Sequence, residues 1–378
     1  MSAGLAQPWS AWAARRPEFH GSHLNSAAAG RNSSAVLQAV ADHALLEAQV
    51  GAYVAEEAAQ PVLEAGRAQL ADLLGVPADG VAFVEHASAG LAAVLAAWPL
   101  REGAAVGVVA SEWGPNLEAL TARGLSLIEL PTDGDGVLDL DALQRILASS
   151  PPAVVHLTQV AAHRGLVQPV ADAAALCCAA GVPLWVDAAQ ALGHVDTASG
   201  ADVLYTTGRK WMCAPRGVGV LAVAQRWWDA LRVKGSAMAP AQWPVVRHLE
   251  SHDAHIAGRV GLCTALHEHI RSGPATVWQR LDEVGRLTRD TLADLPGWQV
   301  VAARDGSGAI TALRPTAGQD VQAVSATLLA HDRILTTASL PSRAPREMTT
   351  PLLRIAPHVD CTSGQLAALR SALSSAGK

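Results

Sequence analysis

Lys210, Lys234 and Lys378 are the only lysines among the 28 lysines and arginines of this 378-residue chain. A lysine kept where nearly every other cation is arginine points to a task that a guanidinium cannot perform. Lys210 stands in TTGRKWMCAPRGVGVLAV, between a polar run and a glycine-rich apolar strand. An amine buried beside Arg209 loses its proton readily and becomes a nucleophile toward an aldehyde. A guanidinium stays charged and cannot form that bond.

Three other apolar runs end in groups with chemistry of their own. PLWV leads into Asp187 and, three residues on, Gln190; VLY leads into Thr207 and Arg209; VAFVE leads into His86, Ala87 and Ser88. In an open parallel sheet, ligands bind beyond the carboxyl ends of the strands. A helix opening at Ala87-Ser88 offers amides and a partial positive charge to a phosphate, and Thr207 and Arg209 add a hydroxyl and a permanent cation. Asp187 can face a positive nitrogen. Phosphate, cationic ring nitrogen and aldehyde together describe pyridoxal phosphate, with a Schiff-base lysine and an aspartate partner. Each residue also has a plainer reading: Lys210 as a helix-end lysine, Asp187 or Ser88 as a helix cap. Their joint placement at strand ends favours the cofactor.

The elements that must hold these groups follow from hydrophobic patterning. VAFVEHA, AAVGVVAS, SLIELP, AVVHLTQV, PLWVDAA, VLYTT and VGVLAV read as strands, with helical stretches at 87–98, 140–148 and 170–180 between them. Near-continuous apolar strands alternating with helices predict an α/β fold whose mostly parallel sheet is covered on both faces. Beyond residue 243 the texture changes to helices at 260–270 and 276–295 and short strands near 298–301, 309–313 and 352–356, the pattern of a smaller α+β domain. The expected division is an N-terminal segment 1–50, a large domain 51–245 and a small C-terminal domain 246–378. A net charge of −6 leaves no basic footprint for nucleic acid. No apolar run is long enough to span a membrane, and MSAGLAQPWSAWAARRPEF lacks the pattern of a signal peptide. Five cysteines without a CxxC pair predict no disulfide framework, and the expected location is the cytoplasm. His248, His252 and His255 have spacings that one helix face could offer a metal, but no accompanying cysteine supports it and no metal is expected.

VDAAQALGHVD followed by ADVLYTTGRKWMCAPRGVGVLAV resembles the cofactor segment of the class V aminotransferase family, and the resemblance extends from HLNSAAAG to LLRIAPHVD. It implies a pyridoxal phosphate fold type I enzyme, a homodimer with active sites near the subunit interface. Carried over by position, Lys210 binds the cofactor and shuttles the substrate Cα proton. Asp187 pairs with the ring nitrogen and Gln190 approaches the phenolic oxygen. Ala87, Ser88, Thr207 and Arg209 form the phosphate cup, Trp113 lies against the ring, and Arg354 grips the substrate carboxylate. Two departures stand out: Ala162 occupies a position where relatives often have Asn, and His252-Asp253 replaces a Gly-Thr that relatives direct at the partner subunit's phosphate.

The pocket decides which bond breaks. Desulfurases of the family carry a sulfur-accepting cysteine upstream of the carboxylate arginine, and this chain has none between His331 and Arg354. The stretches HLNSAAAGRNSSAVL, VAAHRGLVQP, ESHDAHIAGRVGL and APREMTTPLLRIAPHVD resemble instead the carbon–sulfur lyase branch that serves ergothioneine biosynthesis. That branch implies a small-molecule amino-acid sulfoxide substrate, β-elimination, and release of a sulfenic acid, pyruvate and ammonia; another class V lyase, aminotransferase or epimerase is the alternative. A trimethylammonium group on such a substrate calls for an aromatic face or a carboxylate, for which Tyr53, Trp113 and Asp253 are candidates.

Overall fold

The computed structural model describes residues 7–234, 239–301 and 307–375 of the chain; Lys378 and the first six residues lie outside them. The described chain opens with α1 (Gln7–Ala14) and a short strand β1 (Ser22–His23). Two longer helices follow, α2 (Ser34–Val50) and α3 (Ala52–Leu74). Ser33 caps α2 by accepting a hydrogen bond from the Val36 amide at 3.1 Å. Gly51, at φ 92°, makes the turn between the two helices.

Strands and helices then alternate. They are β2 (Val81–Val84), α4 (Ala87–Ala97), β3 (Ala105–Val108), α5 (Gly114–Ala122), β4 (Ser126–Glu129), α6 (Leu140–Ser149) and β5 (Val154–Thr158). After them come α7 (Val170–Ala180), β6 (Leu184–Asp187), β7 (Val203–Thr207) and β8 (Gly219–Val223). Seven strands form one sheet in the order β2-β8-β7-β6-β5-β3-β4. From β4 across to β7 every pairing is parallel. β8 runs antiparallel to both of its neighbours, a direction that an apolar run such as VGVLAV does not encode.

β2 and β5 to β8 are buried at every residue because both faces of the sheet are covered. Side chains alternate between the faces. Leu184 and Val186 of β6 join a core with Leu143 of α6 and Ala173 of α7, while Trp185 joins Leu91 of α4 and Leu120 of α5 on the other face. The order also reverses at β3: β4 lies on one side of it and β5 on the other. The carboxyl ends there form the crevice where an α/β sheet binds its ligand.

The rest of the chain comprises α8 (Ile256–Arg271), α9 (Pro274–Leu292), β9 (Trp298–Val301), β10 (Thr311–Pro315) and α10 (Val321–Asp332). It ends in β11 (Ile334–Leu335), β12 (Thr337–Ser339), β13 (Leu352–Ile355) and α11 (Ser363–Ser375). Four of these strands make an antiparallel sheet, β12-β13-β10-β9, over its own apolar core. β1 pairs in parallel with β11, which ties the N-terminal segment to this second unit. α8 packs instead against α2 and α3. That approach is close enough that a Cβ on Gly66 would collide with the Cys263 sulfur. Among the described residues no helix is long and apolar enough to cross a membrane.

Candidate active site

A cavity of about 280 Å³ opens at the carboxyl ends of the parallel strands. Ala87, Ser88, Trp113, Asp187, Gln190, Thr207, Arg209 and Lys210 all line it, joined by His86, Thr158, Ala162, Ala189, Arg216 and Gly217. The sheet gathers them from far apart in sequence. Ala87 and Ser88 begin α4, and its cap is His86, whose Nδ1 accepts from the Ala89 amide at 3.1 Å. Trp113 is the residue before α5, Asp187 is the last of β6, and Thr207, Arg209 and Lys210 follow the course of β7. Gly30 lies so near the lysine turn that a Cβ there would run into the Lys210 carbonyl oxygen; its amide donates to Arg209 O at 2.8 Å.

Lys210 and Asp187 carry opposing shifts. Burial disfavours the ammonium and Asp187 favours it, while Arg209, Arg354 and Arg343 push in the same direction as burial; the lysine pKa falls to about 7. Burial raises the Asp187 pKa, Lys210 and the Asn116 hydrogen bond oppose that, and the nearby Glu112 adds to it. Asp187 Oδ2 accepts from Asn116 Nδ2 at 2.8 Å and Oδ1 from the Ala189 amide at 2.7 Å, which fixes the plane of the carboxylate. Gln190 donates through Nε2 to Ala27 O and accepts from Trp211 Nε1, each at 2.9 Å. One hydrogen of its NH2 group remains for a ligand oxygen.

Arg354, on β13, is completely buried. It donates to the Ala162 carbonyl at 2.8 Å and to Asn25 Oδ1 at 3.4 Å, while its Nε has no partner. Burial first, then Arg343 and Arg209, lower its pKa to about 9. The Ala162 position thus contributes a backbone carbonyl that orients Arg354 rather than a side chain. None of the three expected substrate residues is part of the cavity wall: Arg354 stands behind Ala162, which lines it, whereas Tyr53 is 86 % exposed on α3 and Asp253 is exposed as well.

Several functional groups escaped sequence reasoning. Arg343, from the turn Pro341–Arg343, places its guanidinium carbon 5.7 Å from the Trp113 ring centre. Gly114 permits this, since a Cβ there would strike the Ser342 carbonyl. Glu112, Asn116, His156 and Tyr205 form a buried polar network beneath Asp187. The one signal for it was His156 and Tyr205, polar residues inside strands that otherwise read as core; Glu112 before α5 and Asn116 within it gave none. The His248, His252 and His255 reading finds no support in geometry: among the described residues no group of three or more His, Cys, Asp or Glu could hold a metal.

The groups present fit pyridoxal phosphate. The first amides of a helix lack intrahelical partners, so α4, with Ser88, Thr207 and Arg209, can hold a phosphate. Asp187 can face the ring nitrogen, Lys210 the aldehyde and Trp113 the ring. Among the described residues no carboxylate pairs with Arg209, Arg343 or Arg354, so these cations match anions that ligands bring.

The chain matches the family model for class V aminotransferases over residues 22–337. It is 47 % identical to the probable hercynylcysteine sulfoxide lyase of Mycobacterium tuberculosis, over 96 % of this chain and 92 % of that one. Among solved structures it is similar to the cysteine desulfurase CsdA of Escherichia coli, with 21 % identity, a TM-score of 0.84 and coverage of 97 % and 98 %. It is also similar to the cystine C–S lyase C-DES in complex with cysteine persulfide, with 18 % identity, a TM-score of 0.83 and coverage of 94 % and 99 %. These likenesses place the architecture in fold type I, and with the match across most of its length the chain belongs to the class V aminotransferase family and takes pyridoxal phosphate as its cofactor.

Proposed function

We propose that this chain, a pyridoxal phosphate-dependent carbon–sulfur lyase, cleaves hercynylcysteine sulfoxide by β-elimination to the sulfenic acid of ergothioneine, pyruvate and ammonia. The observation that carries the reading is the company Lys210 keeps. The cavity holds a lysine with a pKa near 7, the buried Arg354 lies behind its Ala162 wall, and none of the five free cysteines lines it. A reaction that hands sulfur to the enzyme needs a thiol at the substrate. An elimination needs only a base and a place for the leaving group.

Bound pyridoxal phosphate supplies the electron sink that acidifies the substrate Cα–H. Lys210 Nζ takes that proton, its pKa lying near the working pH as a general base requires. Arg354 receives the α-carboxylate on its unpartnered Nε edge, a two-bond fit that fixes Cα against the lysine. The Cβ–S bond then breaks with its electron pair leaving on sulfur, and the 2-aminoacrylate released hydrolyses to pyruvate and ammonia. Trp113 is the candidate in the cavity wall for the trimethylammonium group.

A homodimer completes this reading. Leu37, Leu45, Val50, Tyr53, Val54 and Val62 are exposed along α2 and α3, an apolar face suited to a second copy. Substrate roles for Tyr53 and Asp253 require that copy, because neither lines the cavity of its own chain. Five unpaired thiols favour the reducing cytoplasm. The test is to incubate the purified enzyme with hercynylcysteine sulfoxide and follow pyruvate and ammonia. The two products are expected in equal amounts, and Lys210→Ala is expected to lose at least about 10³-fold in rate. Cofactor binding without pyruvate would overturn the assigned reaction.

A further inference from the structure

Beneath the cavity lies a chain of buried polar groups that the proposed reaction leaves unused. Glu112 and His156 have no solvent exposure. Glu112 Oε1 accepts from the Trp113 amide at 2.8 Å, from Thr158 Oγ1 at 2.5 Å and from Asn116 Nδ2 at 2.9 Å. Its Oε2 accepts from the Thr158 amide at 3.0 Å and from His156 Nδ1 at 3.1 Å. On the other edge of the imidazole, Nε2 lies 2.6 Å from the Tyr205 hydroxyl. The same Asn116 amino group that donates to Glu112 also donates to Asp187.

This arrangement has an electrostatic problem and contains its solution. Two carboxylates, Glu112 and Asp187, share one Asn116 NH2, and all three side chains are buried. Like charges so placed drive one of the pair to take up a proton. The ionisable groups facing Asp187 are Glu112, His156 and Tyr205 below it and Lys210 above it. Only His156 can cancel the Glu112 charge from below. We propose that His156 is a positioning residue whose positive charge, held between Glu112 and Tyr205, neutralises Glu112 and so keeps Asp187 as the single anion presented to the cavity.

The directions of the local shifts agree with this geometry. Burial acts against a charged His156, but Glu112 and then Asp187 outweigh it and the pKa is raised. Burial likewise acts against a charged Glu112, and the His156 charge and hydrogen bonds hold its pKa down. Tyr205 is pushed well above its ordinary value, chiefly by burial, so it stays a neutral hydroxyl. Breaking such a pair by removing one partner leaves an uncompensated buried charge, whereas removing both leaves none.

The inference rests on Asp187 as the ring-nitrogen partner but not on which sulfur compound is cleaved, so its test uses no substrate. Affinities are measured for pyridoxal phosphate and for its 1-deaza analogue, which lacks the ring nitrogen; their ratio reads the contact with Asp187 alone. Wild type is expected to prefer the true cofactor. His156→Gln, which strands Glu112 as a lone anion, is expected to cut that preference by about tenfold, the effect of roughly one pKa unit on Asp187. The double variant Glu112→Gln, His156→Gln is expected to recover it, and Tyr205→Phe, which keeps the charge pair, to leave it unchanged. An unaltered ratio in His156→Gln, or a double variant as impaired as the single one, overturns the proposal. In wild-type holoenzyme the His156 imidazole resonances should remain those of the cation at pH values where an ordinary histidine has already lost its proton. A titration near pH 6.5 overturns it even if the variants fail to fold. No preference in wild type would remove Asp187 from its role and the inference with it, leaving pyruvate release to judge the proposed reaction separately.

Discussion

Two sets of arginines are withdrawn from solvent in this protein, and their partners differ. Arg67 on α3 and Arg259 on α8 converge on Glu250, at 2.6 and 3.0 Å, and all three side chains are buried. The Glu250 carboxylate also accepts from the Phe83 amide at 3.0 Å, and both guanidinium groups lie over the Phe83 ring. Around Lys210, Arg354 is fully buried and Arg209 and Arg343 partly so, without a carboxylate among them. The first cluster is closed: its charge is met inside the fold and it locks α3, β2 and α8 together. The second is left open. Burial lowers each pKa, neighbouring arginines add to it at Arg209 and Arg354, and the anions that would relieve the cluster come with ligands. Buried cations without internal partners therefore mark the site more sharply than their residue type does.

The comparison is broken most directly through Glu250. Glu250→Gln leaves two buried guanidinium groups facing each other, and a cost of about 3–5 kcal/mol in unfolding free energy is expected. Chemical denaturation of cofactor-free and loaded protein measures it, and the loss should be similar in both because the pair lies outside the cavity. A loss confined to the loaded form would mean that the cluster belongs to the site after all. Arg354→Gln should behave in the opposite way. With no internal carboxylate to strand, stability should stay within about 1 kcal/mol of wild type. Truncating an arginine that grips a substrate carboxylate costs roughly 2–4 kcal/mol of binding, so KM should rise on the order of 10²-fold while the cofactor remains bound. A stability loss as large as that of Glu250→Gln would make Arg354 a structural residue.

The closed and open clusters also show what the sequence could convey. Strand runs such as VVHLT, LWVD and VLYTT were legible because strands buried on both faces read as unbroken apolar segments. Lys210, Asp187 and Ser88 could be gathered in advance because each stands where such a run ends, and a parallel sheet aligns those ends; Trp113 came only with the family resemblance. Partnership was not legible. Arg67, Arg259 and Glu250 are 183 and 9 residues apart along their pairings, and nothing local says that they meet. His156 lies inside a strand and looks like an isolated polar residue, and Arg343 sits in an irregular turn without periodicity. Tyr53 and Asp253 were chosen by chemical type alone, and the fold places them outside their own chain's cavity.

The smallest expected effect tests whether the open cluster is electrostatically one unit with Lys210. In cofactor-free enzyme the lysine must be neutral to attack the aldehyde, and its pKa is about 7. The rate of pyridoxal phosphate capture should therefore climb about tenfold per pH unit below that value and level off above it, since each unit changes the free-amine fraction by that factor. Arg343 is one of the cations that disfavour the ammonium. Arg343→Gln should move the midpoint to higher pH, by less than about one unit for a single partly screened charge, and slow capture below pH 7 by several-fold at most. Arg259→Gln, which removes a more deeply buried cation from the closed cluster, should leave the midpoint where it is. If the two substitutions shift it alike, the lysine is tuned by the net charge of the protein and by burial rather than by the arginines around it. If only Arg343→Gln shifts it, the unpaired cations serve twice, as receptors for anions and as the means of keeping Lys210 reactive at neutral pH.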